Sequence, residues 1–141
     1  MYGAFFFTVA LLVTTAYFLM GGLPLLILKH EVPLDARFIR SFFNVYYRAA
    51  FWTSLGACIS YAVWGRYYFA IGAAVFAGIT TLLRRQLVQA MGRLGEKIEA
   101  SEAAAVKNFR RVHSAALAIN FFQLVVVVWG ILQLSQELTP R

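Results

Sequence analysis

Acidic residues are scarce in this chain. Of its 141 residues only 6 are Asp or Glu, against 13 Lys or Arg. Those six (Glu31, Asp35, Glu96, Glu99, Glu102 and Glu137) stand outside the long apolar stretches. No carboxylate therefore lies where a membrane proton relay or an acidic cation site would need one, and a serine triad would lack the buried acid that orients its histidine. Cysteine occurs once, at Cys58, so an internal disulfide and any CxxC or Cys/His metal spacing are excluded. Histidine occurs twice, at His30 and His113. Two imidazoles with a few amides fall short of the three or more protein ligands of a metal centre.

Apolar residues are abundant. They make up 61% of the chain, aromatics 16%, and the mean hydropathy is +0.69, a load that soluble domains do not carry. Four stretches, 5–28, 38–64, 67–83 and 112–134, are long enough to cross a hydrocarbon core, which needs ~20 residues per helix. The third is short, but Arg84 and Arg85 after it can snorkel to the interface. The expectation is an all-α chain, one transmembrane domain over 1–141. It is an antiparallel four-helix bundle with a cytoplasmic helical hairpin at 84–111 between spans three and four. The first stretch is not expected to be a cleaved signal, since MYGAFFF has no positive n-region and the apolar run continues past Gly21, Gly22 and Pro24.

The +7 charge is placed unevenly. Lys29, Arg37 and Arg40 follow span one; Arg84, Arg85, Arg93, Lys97, Lys107, Arg110 and Arg111 lie between spans three and four. The opposite side has only Arg66 and Arg141. The positive-inside rule then puts both basic loops in the cytoplasm and both termini outside, with a bacterial inner membrane as the expected setting. Topology accounts for a pI near 10 without a nucleic-acid partner. Basic juxtamembrane segments also make anionic membrane lipids the natural partners.

Along the chain, Pro24 predicts a bend in span one, because it lacks a donor and clashes with the preceding turn. Asp35 fits the N-cap of span two. That span opens with a polar stripe, Arg37, Ser41, Asn44, Arg48 and Trp52, at intervals of 4, 3, 4 and 4. Arg48 has two readings, snorkelling to the headgroups or neutralising something anionic inside the bundle. In span three, Ala70, Ala74 and Gly78 form a small-xxx-small ridge, a place for a membrane-protein partner or a second copy. Leu87, Met91, Leu94 and Ile98 continue that helix as an amphipathic extension, with a break expected near Gly92 and Gly95 and Ser101 as cap of the return helix.

The segment NFRRVHSAALAINFFQ, residues 108–123, is the most informative. Arg110, His113, Asn120 and Gln123 carry a polar stripe into an apolar span, where such side chains are costly and face a partner, a cavity or a ligand. Together with Ser41, Asn44, Arg48 and Trp52 they could converge in the inner half of the bundle. Arg48 and Arg110 would hold an anionic head, His113, Asn120 and Gln123 would orient it, and Trp52 would line the apolar body. The plainer reading is that His113, Asn120 and Gln123 pin helices together. Haem b is a further option, with His30 and His113 as axial ligands at similar depth on two elements.

Asn108, Phe109, His113 and Asn120, placed after a basic amphipathic connector and at the head of the fourth span, resemble the small four-span proteins related to the eukaryotic transmembrane protein associated with cisplatin resistance. The likeness covers roughly 84–124. More distantly, the chain is similar to the anthrone-oxygenase-like four-span family, which would imply cofactor-independent oxygenation with His113 as base. The leading expectation is a non-enzymatic membrane protein that binds a lipid-like or hydrophobic small molecule in an inner-leaflet polar pocket, as an accessory subunit of a larger complex or alone. The alternatives are a membrane oxygenase or oxidoreductase acting on an apolar aromatic substrate, and a haem-binding redox protein.

Overall fold

The computed structural model describes residues 1–27, 29–30 and 32–138, the last by its backbone alone. The described residues are almost entirely helical and contain no strand. The elements are α1 (Tyr2–Leu25), α2 (Pro33–Val63), α3 (Tyr67–Leu83), α4 (Gln89–Glu99) and α5 (Ala103–Leu138). A single π-helical turn, Arg84–Val88, joins α3 to α4 without interruption, so four helical rods run through the molecule. Three of these are long and apolar enough to cross a membrane: Tyr2–Leu25, Tyr67–Glu99 and Ala103–Glu137, with mean hydropathies of 1.9, 1.4 and 2.2. Their outward faces are apolar, with Phe6, Val13, Ile71, Val75, Phe122 and Val126 all exposed, an exterior suited to lipid.

α2 does not reach that apolarity, although it was expected to span at 38–64. Its polar stripe dilutes it, and it packs on α1, α3 and α4. Its buried residues include Ile39, Phe43, Tyr46, Tyr47, Ala50, Ser54, Ala57 and Tyr61, a periodicity of three and four that keeps one stripe inward. The helix begins at Pro33, whose fixed φ and missing donor suit a first position. Asp35 is therefore in the first turn, its N–H on the Val32 carbonyl, and not at the cap.

α1 ends one residue after Pro24; position 28, the expected end of this span, lies outside the described residues. α3 keeps its expected bounds but presents a different packing face. Ala70, Ala77 and Thr80 are buried, whereas Ala74 and Gly78 are exposed, so the Ala70/Ala74/Gly78 ridge is not one surface. The expected break near Gly92 and Gly95 does not occur: α4 runs unbroken from Gln89 to Glu99, and the departure from regular α geometry is the π turn before it. Gly92 and Gly95 instead let α4 close on α2: a Cβ at Gly92 would lie 3.0 Å from Arg40 Cζ, one at Gly95 3.7 Å from Ala36 Cβ.

Two helix ends use one device. After α2, Gly65 (φ 78°) donates to Ala62 and Arg66 to Tyr61; after α4, Ser101 (φ 61°) donates to Ile98 and Glu102 to Lys97. Both are Schellman closures with a left-handed residue just past the cap. Ser101 thus ends α4 and does not cap α5. Beyond it α5 packs back on α4 and along α1, and the Arg37 side chain of α2 bonds Glu99 at the end of α4. Met91, Ile98, Ala105 and Phe109 fill the junction with Ala36 and Ile39.

Candidate functional site

The polar positions sort into two places, because α2 turns its aromatic stripe inward and its polar stripe outward. Ser41, Arg48 and Trp52 are exposed, Trp52 by 63%, and Asn44 is half-buried. His113 and Asn120 are fully buried and Gln123 nearly so, while Arg110 and Asn108 are exposed. The expected convergence of both stripes on one pocket is therefore corrected: the stripe of α2 and that of α5 do not meet. Side chains with apolar surface took the interior of α2, as their period allowed, and the arginine stripe was left outside.

The buried set is a chain of hydrogen bonds through the core. Of the two orientations of the Asn120 amide, one satisfies every neighbour: its oxygen accepts from the Leu19 N–H at 3.1 Å, and its nitrogen donates to the Tyr46 phenol oxygen at 3.1 Å and the Thr15 carbonyl at 3.3 Å. The Tyr46 hydroxyl donates to Gln123 Oε1 at 2.7 Å, and Gln123 Nε2 donates to Thr80 Oγ1 at 3.3 Å. One relay thus ties α1, α5, α2 and α3. The backbones of α2 and α5 barely approach, and the phenol of Tyr46 spans the gap between them. Asn120 and Gln123 are bonded to the protein at both ends of their amides.

Two turns nearer the start of α5 than Asn120, His113 bonds His30 of the α1–α2 connection, Nδ1 and Nε2 lying 3.1 Å apart with the rings edge to face. Phe43 and Phe109 flank the pair. His30 holds a left-handed backbone, φ 61°, which places its ring against α5. The carbonyl of Gly22, in the last turn of α1, faces His113, though His113 Nε2 has no hydrogen bond of ordinary geometry. Arg110 reaches the Leu26 carbonyl at 3.5 Å. Donors from α5 thus sit at the C-terminus of α1, where the helix dipole favours them. This geometry does not fit a haem held by both histidines: iron and macrocycle would have to lie between two nitrogens that bond each other directly. Among the described residues no group of three His, Cys, Asp or Glu could hold a metal ion.

Of the outward stripe, Arg48 and Trp52 line a recess of about 480 Å³ between α2 and α3, together with Tyr47, Phe51, Thr81 and Arg84. Arg84 is oriented by its Nε donating to Asn44 Oδ1 at 2.9 Å. Neither guanidinium is paired with a carboxylate among the described residues. The Tyr47 hydroxyl is buried and makes no hydrogen bond among the described residues. Arg84, Tyr46, Thr15 and Thr80 were not read from the sequence as site residues. The pair Tyr46–Tyr47, standing between Asn44 and Arg48, carried the signal, since adjacent phenols on a helix cannot both follow the polar stripe.

No family model, curated protein or solved structure matches this chain.

Proposed function

We propose that this chain is an integral membrane protein of four antiparallel spans that holds the anionic head of a lipid-like amphiphile between Arg48 and Arg84, on the cytoplasmic side. The carrying observation is the recess itself, with two guanidiniums lacking acidic partners, an unbonded phenol behind them and Trp52 with Phe51 beside them. Arginine favours phosphate and carboxylate through its planar fork of donors. α2 spans in this reading because it packs along both α1 and α3. Both basic loops lie inside and both termini outside, as the charge asymmetry requires. Counting inward from Val63 at ~1.5 Å per residue, Arg48 sits about 22 Å down α2, just short of the far edge of a core ~30 Å thick. A guanidinium there reaches the inner headgroups. The first turns of α2, with α4 and the start of α5, then form a hairpin subdomain projecting into the cytoplasm.

The test is thermal stabilisation of the detergent-purified protein by phosphatidylglycerol, with phosphatidylcholine as control. Stabilisation by the anionic lipid alone is expected, and it should weaken about fivefold in apparent affinity in Arg48→Gln and again in Arg84→Gln, at ~1 kcal/mol per arginine near the surface. Equal response to both lipids, or unchanged affinity in both variants, would remove the reading.

A further inference from the structure

A second recess lies on the other side of the molecule from the arginines' end of α3. α3 and α5 make at most marginal contact with each other, and between them, floored by α1 and α2, runs a cleft of about 510 Å³. Its body is apolar, with Leu11, Ala57, Phe69, Phe76, Val127 and Trp129 among its walls. Its inner end lies at Phe76 and Val127, about one turn from the bond between Gln123 and Thr80. The other end is polar: Gln133 and Glu137 of α5 and Tyr68 of α3 stand at the mouth, where Arg66 pairs with Glu137.

Two glycines face this space from opposite walls, Gly72 on α3 and Gly130 on α5, and a Cβ at either would meet nothing within 4 Å. Glycines in membrane helices ordinarily mark a close backbone approach. Here nothing approaches, and their effect is to leave the cleft wide. The cleft follows α5 from Val126 to Glu137 for about 16 Å at ~1.5 Å per residue, and its volume of about 510 Å³ lies within the ~300–1,000 Å³ usual for small-molecule sites. Among the described residues the two charges at the mouth, Arg66 and Glu137, pair with each other, and the Gln133 amide makes no hydrogen bond.

We infer that the cleft between α3 and α5 is a binding site for a single-chain amphiphile with an uncharged, hydrogen-bonding head. The chain lies along Phe76 and Val127 toward the Gln123–Thr80 bond, and the hydroxyl or carbonyl head meets Gln133 at the outer interface. This site is separate from the arginine recess in both charge and position, so either can fail alone.

The probe is a clickable monoacylglycerol with a diazirine in its acyl chain, crosslinked to the full chain in dodecyl maltoside and mapped by mass spectrometry. Saturable labelling on 69–76 and 126–133, competed by unlabelled monoolein, is expected. Gly130→Leu and Gly72→Leu each fill the cleft from one wall and should reduce that labelling at least tenfold without lowering thermal stability or altering the phosphatidylglycerol response. Labelling that does not saturate and spreads over every outward helix face would overturn the inference, as would undiminished labelling in either variant that folds. If both variants misfold, failure of monoolein to compete in the unsubstituted protein overturns it by itself. A dimer that both variants dissociate, with labelling unchanged, would give the cleft to a second copy and likewise refute it.

Discussion

Asn120 on α5 bonds the backbone of α1 at Leu19: its side-chain oxygen accepts the Leu19 N–H while its nitrogen meets the carbonyl of Thr15, four residues earlier. In a regular α-helix those two backbone groups bond each other. The amide therefore reads both ends of one rung of the ladder, and Tyr46 ties that rung to α2. This contact ties α5 to α2, since the two meet through side chains and hardly through backbone.

The coupling between Asn120 and Tyr46 can be measured in a double-mutant cycle of Asn120→Leu and Tyr46→Phe, read by reversible unfolding in sodium dodecyl sulfate. Each single variant is expected to lose about 1 kcal/mol and the pair less than the sum, with a coupling of ~0.6–1.7 kcal/mol, the range for interhelical hydrogen bonds in bilayers. The cost stays modest because Thr15 and Leu19 remain each other's backbone partners within α1 when the amide is gone. Strict additivity would mean the phenol and amide do not act together.

At the histidine pair, His113→Gln keeps a group able to bond His30, whereas His113→Leu puts a methyl group against a buried nitrogen. Stability should fall in the order unsubstituted, Gln, Leu, with the leucine variant down by about 1–3 kcal/mol, the usual cost of removing one partner of a buried bond. Thermal unfolding in detergent measures it. A glutamine variant no better than leucine would show that packing against Phe43 and Phe109, and not the hydrogen bond, is what His113 supplies.

The two Schellman closures predict opposite effects. Gly65→Ala forces a Cβ into a left-handed backbone and is expected to cost ~1–2 kcal/mol. Ser101→Gly relieves the same penalty at the end of α4 and should gain up to ~1 kcal/mol, part of the relief being offset by the greater freedom of glycine in the unfolded chain. Equilibrium unfolding of both variants tests this, and a loss in Ser101→Gly would contradict the left-handed assignment at that residue.

Glycine sites separate in the same way. A Cβ at Gly56 would stand 2.4 Å from the Phe7 ring and one at Gly22 2.5 Å from Leu117 Cδ2, whereas at Gly78 it would meet nothing within 4 Å. Gly56→Ala and Gly22→Ala should cost ~1–3 kcal/mol through overpacking. Gly78→Ala should be neutral or stabilising by up to ~1 kcal/mol, in line with the better helix propensity of alanine. A large loss at Gly78 in the purified protein would point to a neighbour seated on that face.

The apolar loading and the helix periods were set by local chemistry and are legible without coordinates. The sequence by itself determined the all-helical class, the bounds of α3, the amphipathic extension after it, and the costly polar stripe Arg110, His113, Asn120 and Gln123, since hydropathy and period are properties of one segment at a time. The tertiary structure alone decided which way each stripe faces. On α2 two stripes compete, one of Ile39, Phe43, Tyr46 and Tyr47 and one of Ser41, Asn44, Arg48 and Trp52. Only one can be inside, and neighbours on α1, α3 and α4 chose the first. The same holds for His30, a loop residue from which the sequence predicts little, and which a left-handed backbone carries onto His113 across 83 positions. It holds too for Thr15 and Thr80, hydroxyls common in membrane helices, which became ends of a relay because Asn120 and Gln123 arrived opposite them. Pairings of this kind depend on where other helices pack, and no single segment encodes that.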